Sequence, residues 1–301
     1  MNTMASNDAQ HLKADLLILT VTILAAFGWL FSKETLAGIA PILFIGVRFV
    51  AAGAIVSIPG FKQLKALSRK DLVFSAQVGL MFGIALIFWI LGLHHGQHVG
   101  IGAFLTSLGV VLVPFVSLLF GERPSAATWY SLPVVGAGLA CLSLDGEFQF
   151  GLGEWFYLTA AFLFAVTFTL NSRASARIPT LPLSAIQLLV AGSLALMVSA
   201  VLEDWQWPED SDTWLWFAAS IFIATSLRFS LQTKAQGMAP ASHAAIIMTL
   251  EPVWTALIAS IWLAETMSML QLAGCALIFA AMLVSRWRVV VMLIRGRKAP
   301  A

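Results

Sequence analysis

Charge is what this chain has least of. Acids and bases together make up 11% of its 301 residues, against 59% hydrophobic ones. Soluble domains carry about a quarter charged residues, so this chain cannot clothe a globular surface in polar groups. Cysteine is nearly absent: Cys141 and Cys275 both lie in apolar stretches, too few for a disulfide framework or a thiol metal site, and read as packing residues. There is no glycine-rich phosphate loop, which removes ATP hydrolysis by the chain itself as a power source. There is no linker or low-complexity tract, and the longest polar loops, 61–71 and 203–212, are too short to fold alone. A soluble catalytic or sensing domain is therefore excluded. The net charge of +2 gives no reason to expect nucleic acid as a partner.

What the chain has is apolar length. Ten segments, at 16–31, 40–58, 72–93, 99–120, 126–144, 154–170, 181–202, 214–233, 241–263 and 267–285, approach the 20 or so residues that carry a helix across a bilayer. The expected class is an all-α membrane protein of ten transmembrane helices, with the lipid bilayer as a partner. The first segment is short and is expected to extend through Thr35. The polar stretch before it lacks a small-residue cleavage pattern, so that segment reads as a retained helix rather than a signal peptide.

The charges are sorted. Apart from Lys33, Arg48 and Arg228, every Lys and Arg falls at the N-terminus, at the C-terminus or in alternate loops. The other loops collect acids: Asp145, Glu147 and Glu154 in one, Glu203, Asp204, Glu209, Asp210 and Asp212 in another. The positive-inside rule then puts both termini in the cytoplasm of a multi-pass protein.

The two halves repeat. Arg48-Phe-Val-Ala-Ala-Gly53 matches Gln187-Leu-Leu-Val-Ala-Gly192, and 104–123 matches 247–266. The second alignment sets Glu122 on Glu265, Gly109 on Pro252 and Thr106 on Thr249. Five helices per half is an odd number, so the second copy is expected upside down. Inverted repeats of this kind enclose a site near the middle of the membrane and permit alternating access.

With Gly121-Glu122-Arg123-Pro124 closing the fourth helix, Ala264-Glu265-Thr266 closing its partner, and Pro252 thirteen residues before Glu265, the chain resembles the drug/metabolite transporter superfamily, EamA type. The likeness spans about 15–288, with repeats at 15–145 and 152–288. It implies a carrier of small metabolites in the bacterial inner membrane, often an exporter of amino acids or related solutes, with a cavity lined by helices one, three, four, six, eight and nine. It also implies an arginine in the second helix, where Arg48 stands. Two departures are visible: Phe27-Gly28-Trp29 replaces a common Trp-Gly pair, and Gly109 replaces a proline, so the halves are not expected to gate alike.

Glu251 is the residue expected to matter most. A carboxylate inside an apolar helix is costly and faces a protein interior or a wet cavity. Pro252 follows it and is expected to kink or open the helix, because proline clashes with the carbonyl of Met248 and donates no hydrogen bond. Glu251 and Arg48 each stand about 16 Å from the cytoplasmic ends of their segments, near Pro240 and Pro59, at 1.5 Å of rise per residue. On one reading they share a cavity, with Glu251 accepting a proton or a substrate amine and Arg48 as its counter-charge or the holder of a substrate carboxylate. On the other they form a fixed structural ion pair. Arg228 is read as snorkelling to the interface in preference to contacting an anion in the cavity. His243, at the inner mouth, is either a proton relay or, the preferred reading, a hydrogen-bonded residue at a helix end. Trp29 and Trp89 are expected on the cavity wall, while most other tryptophans fit an interfacial belt. Thr106 completes the set.

The five histidines include His94 and His98 around one turn, a spacing a zinc ion accepts, but a polar interfacial turn is the preferred reading. No cofactor or metal is expected. The tail from Arg286 to Lys298 alternates basic and apolar residues and reads as a lipid contact or a topology anchor. The resulting expectation is a secondary transporter of a small molecule, not an enzyme. Proton exchange through Glu251 and uncoupled movement both stand, and a sensor or structural role is the remaining alternative. Nothing in the sequence specifies an oligomeric state.

Overall fold

A computed structural model describes residues 2–36, 38–95, 99–143, 151–262 and 268–285. Helices follow one another through all of it: α1 (Asn2–Leu36), α2 (Pro41–Lys65), α3 (Arg69–His95), α4 (Val99–Leu119), α5 (Ala126–Ser143), α6 (Leu152–Ser175) and α7 (Thr180–Leu202). An α-helix α8 (Ser211–Ile221), a π-helical turn (Phe222–Leu227) and α9 (Arg228–Gln236) then run as one rod, followed by α10 (Ala241–Met248), α11 (Glu251–Trp262) and α12 (Met269–Ser285). No strand occurs among the described residues.

Six of these helices are long and apolar enough to cross a membrane: Leu12–Leu36, Pro41–Lys65, Arg69–Gly92, Leu152–Ser175, Thr180–Leu202 and Ser211–Gln236. Three shorter apolar ones are Leu105–Leu119, Ala126–Cys141 and Leu272–Ala281. The expected ninth segment is two pieces, α10 of 8 and α11 of 12 residues, and neither spans alone. Two expected boundaries move. Helix α2 does not stop at Pro59 but carries it inside and ends at Lys65, with Lys62 and Lys65 at the negative end of the helix dipole. The rod ends at Gln236 rather than near residue 233, which puts Arg228 about 12 Å from its end.

The packing repeats when the halves are exchanged. Helix α2 packs along α7, and α5 along α12. Helix α6 lies against α3 and α4, while α1 lies against the α8–α9 rod and the α10–α11 pair. The α2–α7 contact brings backbones together. A Cβ on Gly192 would lie 2.6 Å from the Val50 nitrogen and 2.9 Å from the Gly46 oxygen. Small residues at such crossings let van der Waals contact replace the missing hydrophobic drive in lipid.

One hydrogen bond recurs in both halves. Arg48 Nη1 donates to Ser32 Oγ at 2.8 Å, and Gln187 Nε2 donates to Asn171 Oδ1 at 2.8 Å, each reaching back 16 residues from the second helix of its repeat to the first. In the second half the bond continues, because Asn171 also donates to the Gln236 side chain and Ser172 donates to the Gln236 carbonyl, joining α6, α7 and α9.

Carboxylates hold the two ends of the bundle. At the acidic end both oxygens of Glu203 accept, at 2.8 Å, from the Ile42 and Leu43 amides that open α2. The Thr213 amide and hydroxyl bond Asp210 at the start of α8 and hold its carboxyl below the ordinary value of 3.8. At the basic end Glu122 accepts from the Ser242 amide and hydroxyl at the start of α10. Acids suit these positions because first-turn amides lack helical partners and the dipole is positive there. Replacing Glu203 with alanine is expected to cost about 1–2 kcal/mol, read as a lower unfolding midpoint in detergent; an unchanged midpoint contradicts the cap.

Candidate functional site

The break between α10 and α11 creates the site. Pro252 cannot donate to the Met248 carbonyl, and the chain responds by tightening ahead of it: Thr249 and Leu250 donate three residues back, at 3.3 and 3.1 Å, before helix resumes at Glu251. Glu251 thereby opens a half-helix, where its negative charge meets the positive end of the dipole. The break lies about 15 Å along the chain from Ala241, near the middle of a 30 Å apolar layer.

Two side chains from other helices hold this carboxylate. Trp29 Nε1 of α1 donates to Oε1 at 3.1 Å, and Arg228 of α9 places Nη2 3.6 Å from Oε2. Both members of the ion pair keep 23% of their side-chain surface exposed. The Trp29 ring stands edge-on to Trp89 of α3 with centroids 5.3 Å apart. A second indole, Trp254, docks α11 on α1 by donating to Thr22 Oγ1 at 3.1 Å.

Arg228 reaches Glu251 through the π turn. The turn inserts one residue's worth of rotation, so that the Arg228 amide bonds the Ile223 carbonyl five residues back. The Thr225 and Ser226 hydroxyls bond the carbonyls of Ser220 and Ile221, also five back. Wide turns of this kind are frequent at functional sites.

Arg48 is therefore not the partner of Glu251, contrary to the expectation from equal depth. That estimate ended α2 at Pro59, six residues early, which is about 9 Å of rise. Arg48 instead donates through Nε to Thr225 Oγ1 at 2.5 Å and through Nη1 to Ser32. Its guanidinium carbon lies 5.5 and 5.9 Å from the Phe44 and Phe49 ring centres. Gly28 lets α1 come close to the π turn beside it: a Cβ there would lie 3.0 Å from the Ala224 Cβ, with Arg48 Nη2 at an ordinary 3.7 Å. The snorkelling reading of Arg228 also gives way, since its guanidinium is held at Glu251.

The remaining candidates lie apart from this cluster. His243 Nε2 is 2.9 Å from Asp15 Oδ1 at the basic end, beside the Ser242–Glu122 contact. Thr106 is on α4, its hydroxyl buried with no partner among the described residues. Gly109 brings α4 onto α6, where a Cβ would meet the Ala161 carbonyl at 2.7 Å, and α4 runs through it unbroken. His98, the side chain of His94, Glu265 and the tail from Arg286 lie outside the described residues, and no group of metal-ligating side chains occurs among those described. Two open, largely apolar grooves of about 330 and 310 Å³, one lined by Leu12, Leu16 and Thr20 and the other by Leu80, Leu189 and Met197, do not include Glu251.

The model of the EamA-like transporter family matches residues 12–144 and again 151–287. The chain belongs to the EamA-like transporter family. Among curated proteins this EamA-like chain is similar to an uncharacterized transporter of Archaeoglobus fulgidus, 27% identical over 192 residues, covering 64% of this chain and 68% of that protein. It is also similar to the uncharacterized transporter YvbV of Bacillus subtilis, 26% identical over 274 residues, covering 87% and 88%. A solved crystal structure superimposes with a TM-score of 0.80 at 21% identity, covering 93% of this EamA-like chain and 98% of the other, which shows a shared fold. The chain is a multi-pass membrane transporter, and its partners follow from that: a small-molecule substrate and the lipid bilayer.

Proposed function

We propose that the chain carries a small carboxylate-bearing metabolite, an amino acid or a related solute, outward across the cytoplasmic membrane by alternating access. It does so as ten spans in two inverted repeats, with both termini in the cytoplasm and coupling to protons through Glu251. The observation that carries this reading is the partly exposed ion pair of Glu251 and Arg228 at a helix break in mid-span. A carboxylate held there by two helices of other elements changes its contacts when it takes up a proton, and it thereby changes how α11 sits against α1 and α9. Broken helices that meet at the membrane centre hold substrates and coupling ions in secondary carriers generally.

The test is uptake of labelled amino acids and their hydroxy-acid analogues into proteoliposomes, with and without an imposed pH gradient. For the native chain one solute is expected to accumulate only with the gradient. Glu251→Gln is expected to lose that accumulation while remaining folded. Identical uptake by the variant at every pH removes Glu251 from coupling.

A further inference from the structure

Among the described residues three charges stand within the apolar layer at this site: Arg48, Arg228 and Glu251. Two are positive and one is negative, and the carboxylate is taken. Trp29 occupies one of its oxygens and Arg228 the other. No described carboxylate lies within ion-pair distance of Arg48. The two hydroxyls that accept from Arg48 are neutral, and each spends its own proton on a backbone carbonyl, Ser32 on Gly28 and Thr225 on Ser220. Arg228 has a spare donor, because its Nε is buried without a partner, as is the amide oxygen of Gln232 one turn further along α9. An uncompensated cation in a low-dielectric layer is costly, so the site lacks an anion.

We infer that the solute is a net anion, a monocarboxylate with an apolar or aromatic body, held by Arg48 and Arg228 and moved together with a proton on Glu251. This rests on the transport reading above and adds the substrate's charge and the sense of coupling. A zwitterion would bring an ammonium group, and the carboxylate described at this site, Glu251, is already bound to Arg228. An anion faces no such competition. The edge-on rings of Trp29 and Trp89 supply an apolar wall beside the cations.

The coupling follows from the shared guanidinium. A proton on Glu251 cancels the charge that holds Arg228, which then turns to the anion beside Arg48. Proton and anion thus favour one another, and linkage makes the effect reciprocal. One proton and one monocarboxylate leave the charge of the loaded protein unchanged. The other charged groups on the elements packed around Glu251 are distant or engaged. On α1, Asp15 is bound to His243 about 21 Å along the helix from Trp29, and Glu34 lies about 8 Å beyond Trp29 toward the acidic end. On α9, Lys234 lies about 9 Å further from Arg228, and His243 of α10 stands about 12 Å from Glu251 along the chain.

Isothermal titration of the purified full chain in detergent tests this, with lactate, 3-phenyllactate and phenylalanine as probes at pH 6 and pH 8. The last two share a ring and a carboxylate and differ in hydroxyl against ammonium. The native protein is expected to bind phenyllactate at least tenfold more tightly at pH 6 than at pH 8, with uptake of one proton, and phenylalanine at least tenfold more weakly. Glu251→Gln is expected to bind phenyllactate equally at both pH values, and Arg48→Gln to lose it while Arg48→Lys retains part. Size-exclusion profiles establish that each variant is folded. Tighter binding of phenylalanine, release of a proton on binding, pH-independent binding or no binding of either hydroxy acid overturns the inference. Gradient-driven uptake of an amino acid in the proteoliposome assay then leaves the transport reading standing, whereas absence of any uptake there removes that reading as well.

Discussion

Arg228→Leu is expected to destabilise the protein by about 1–3 kcal/mol and to abolish transport. Breaking a buried ion pair by removing one partner costs about 3–5 kcal/mol, because the other charge is stranded. The lower range applies here since nearly a quarter of each side chain meets solvent, and Trp29 still donates to Glu251 after the change. The decisive variant is the double one, Arg228→Leu with Glu251→Leu. Two apolar residues in place of the pair strand no charge and leave only the Trp29 indole N–H without its acceptor, so stability is expected to return to within about 1–3 kcal/mol of the native value while transport stays lost. Thermal unfolding in one detergent reads both variants. A double variant as unstable as the sum of the two single ones contradicts the pairing.

Gly192→Leu is expected to prevent recovery of a folded protein, with a loss of at least about 3 kcal/mol. Overpacking ordinarily costs about 1–3 kcal/mol, when neighbouring side chains can move aside. At Gly192 the neighbours are the backbone of α2, at Val50 and Gly46, and a helix already packed along its length cannot retreat locally. Even Gly192→Ala places its Cβ against that backbone. Gly136 is the control: nothing lies within 4 Å of a Cβ there. Gly136→Ala is expected to be neutral or to stabilise by up to about 1 kcal/mol through helix propensity. The fraction of monodisperse protein after a heat step ranks the variants. Equal survival of the two alanine variants would show that α2 and α7 are not in close contact.

Much of the architecture is readable in the sequence because its causes are local. An apolar run long enough to span announces itself wherever it occurs. The family assignment followed from motifs at matching places in the two halves, and the interruption ahead of Glu251 follows from the missing amide of Pro252. The site was harder. Glu251 meets its tryptophan across 222 residues of chain, and no periodicity encodes such a meeting. Equal depth does not pair Arg48 with Glu251, because α2 runs past Pro59 to Lys65. Nothing in Phe-Ile-Ala-Thr-Ser-Leu, residues 222–227, separates a π turn from an α-helical one, yet that turn brings Arg228 to the carboxylate. Thr225 and Ser226 are the one available hint, as hydroxyls able to cover carbonyls in a widened turn.

The carboxylate that closes the start of α2 has a consequence for biosynthesis. The Ile42 amide waits for Glu203, which leaves the ribosome 161 residues later, and the Ser242 amide is served by Glu122, made 120 residues earlier. At synthesis rates of about 5–20 residues per second, α2 spends roughly ten to thirty seconds with its opening amides turned to interfacial water. The first repeat is thus inserted before it is finished, and the second arrives to an acceptor already in place. Completion of the α2 start thus waits on the length of chain between residues 42 and 203.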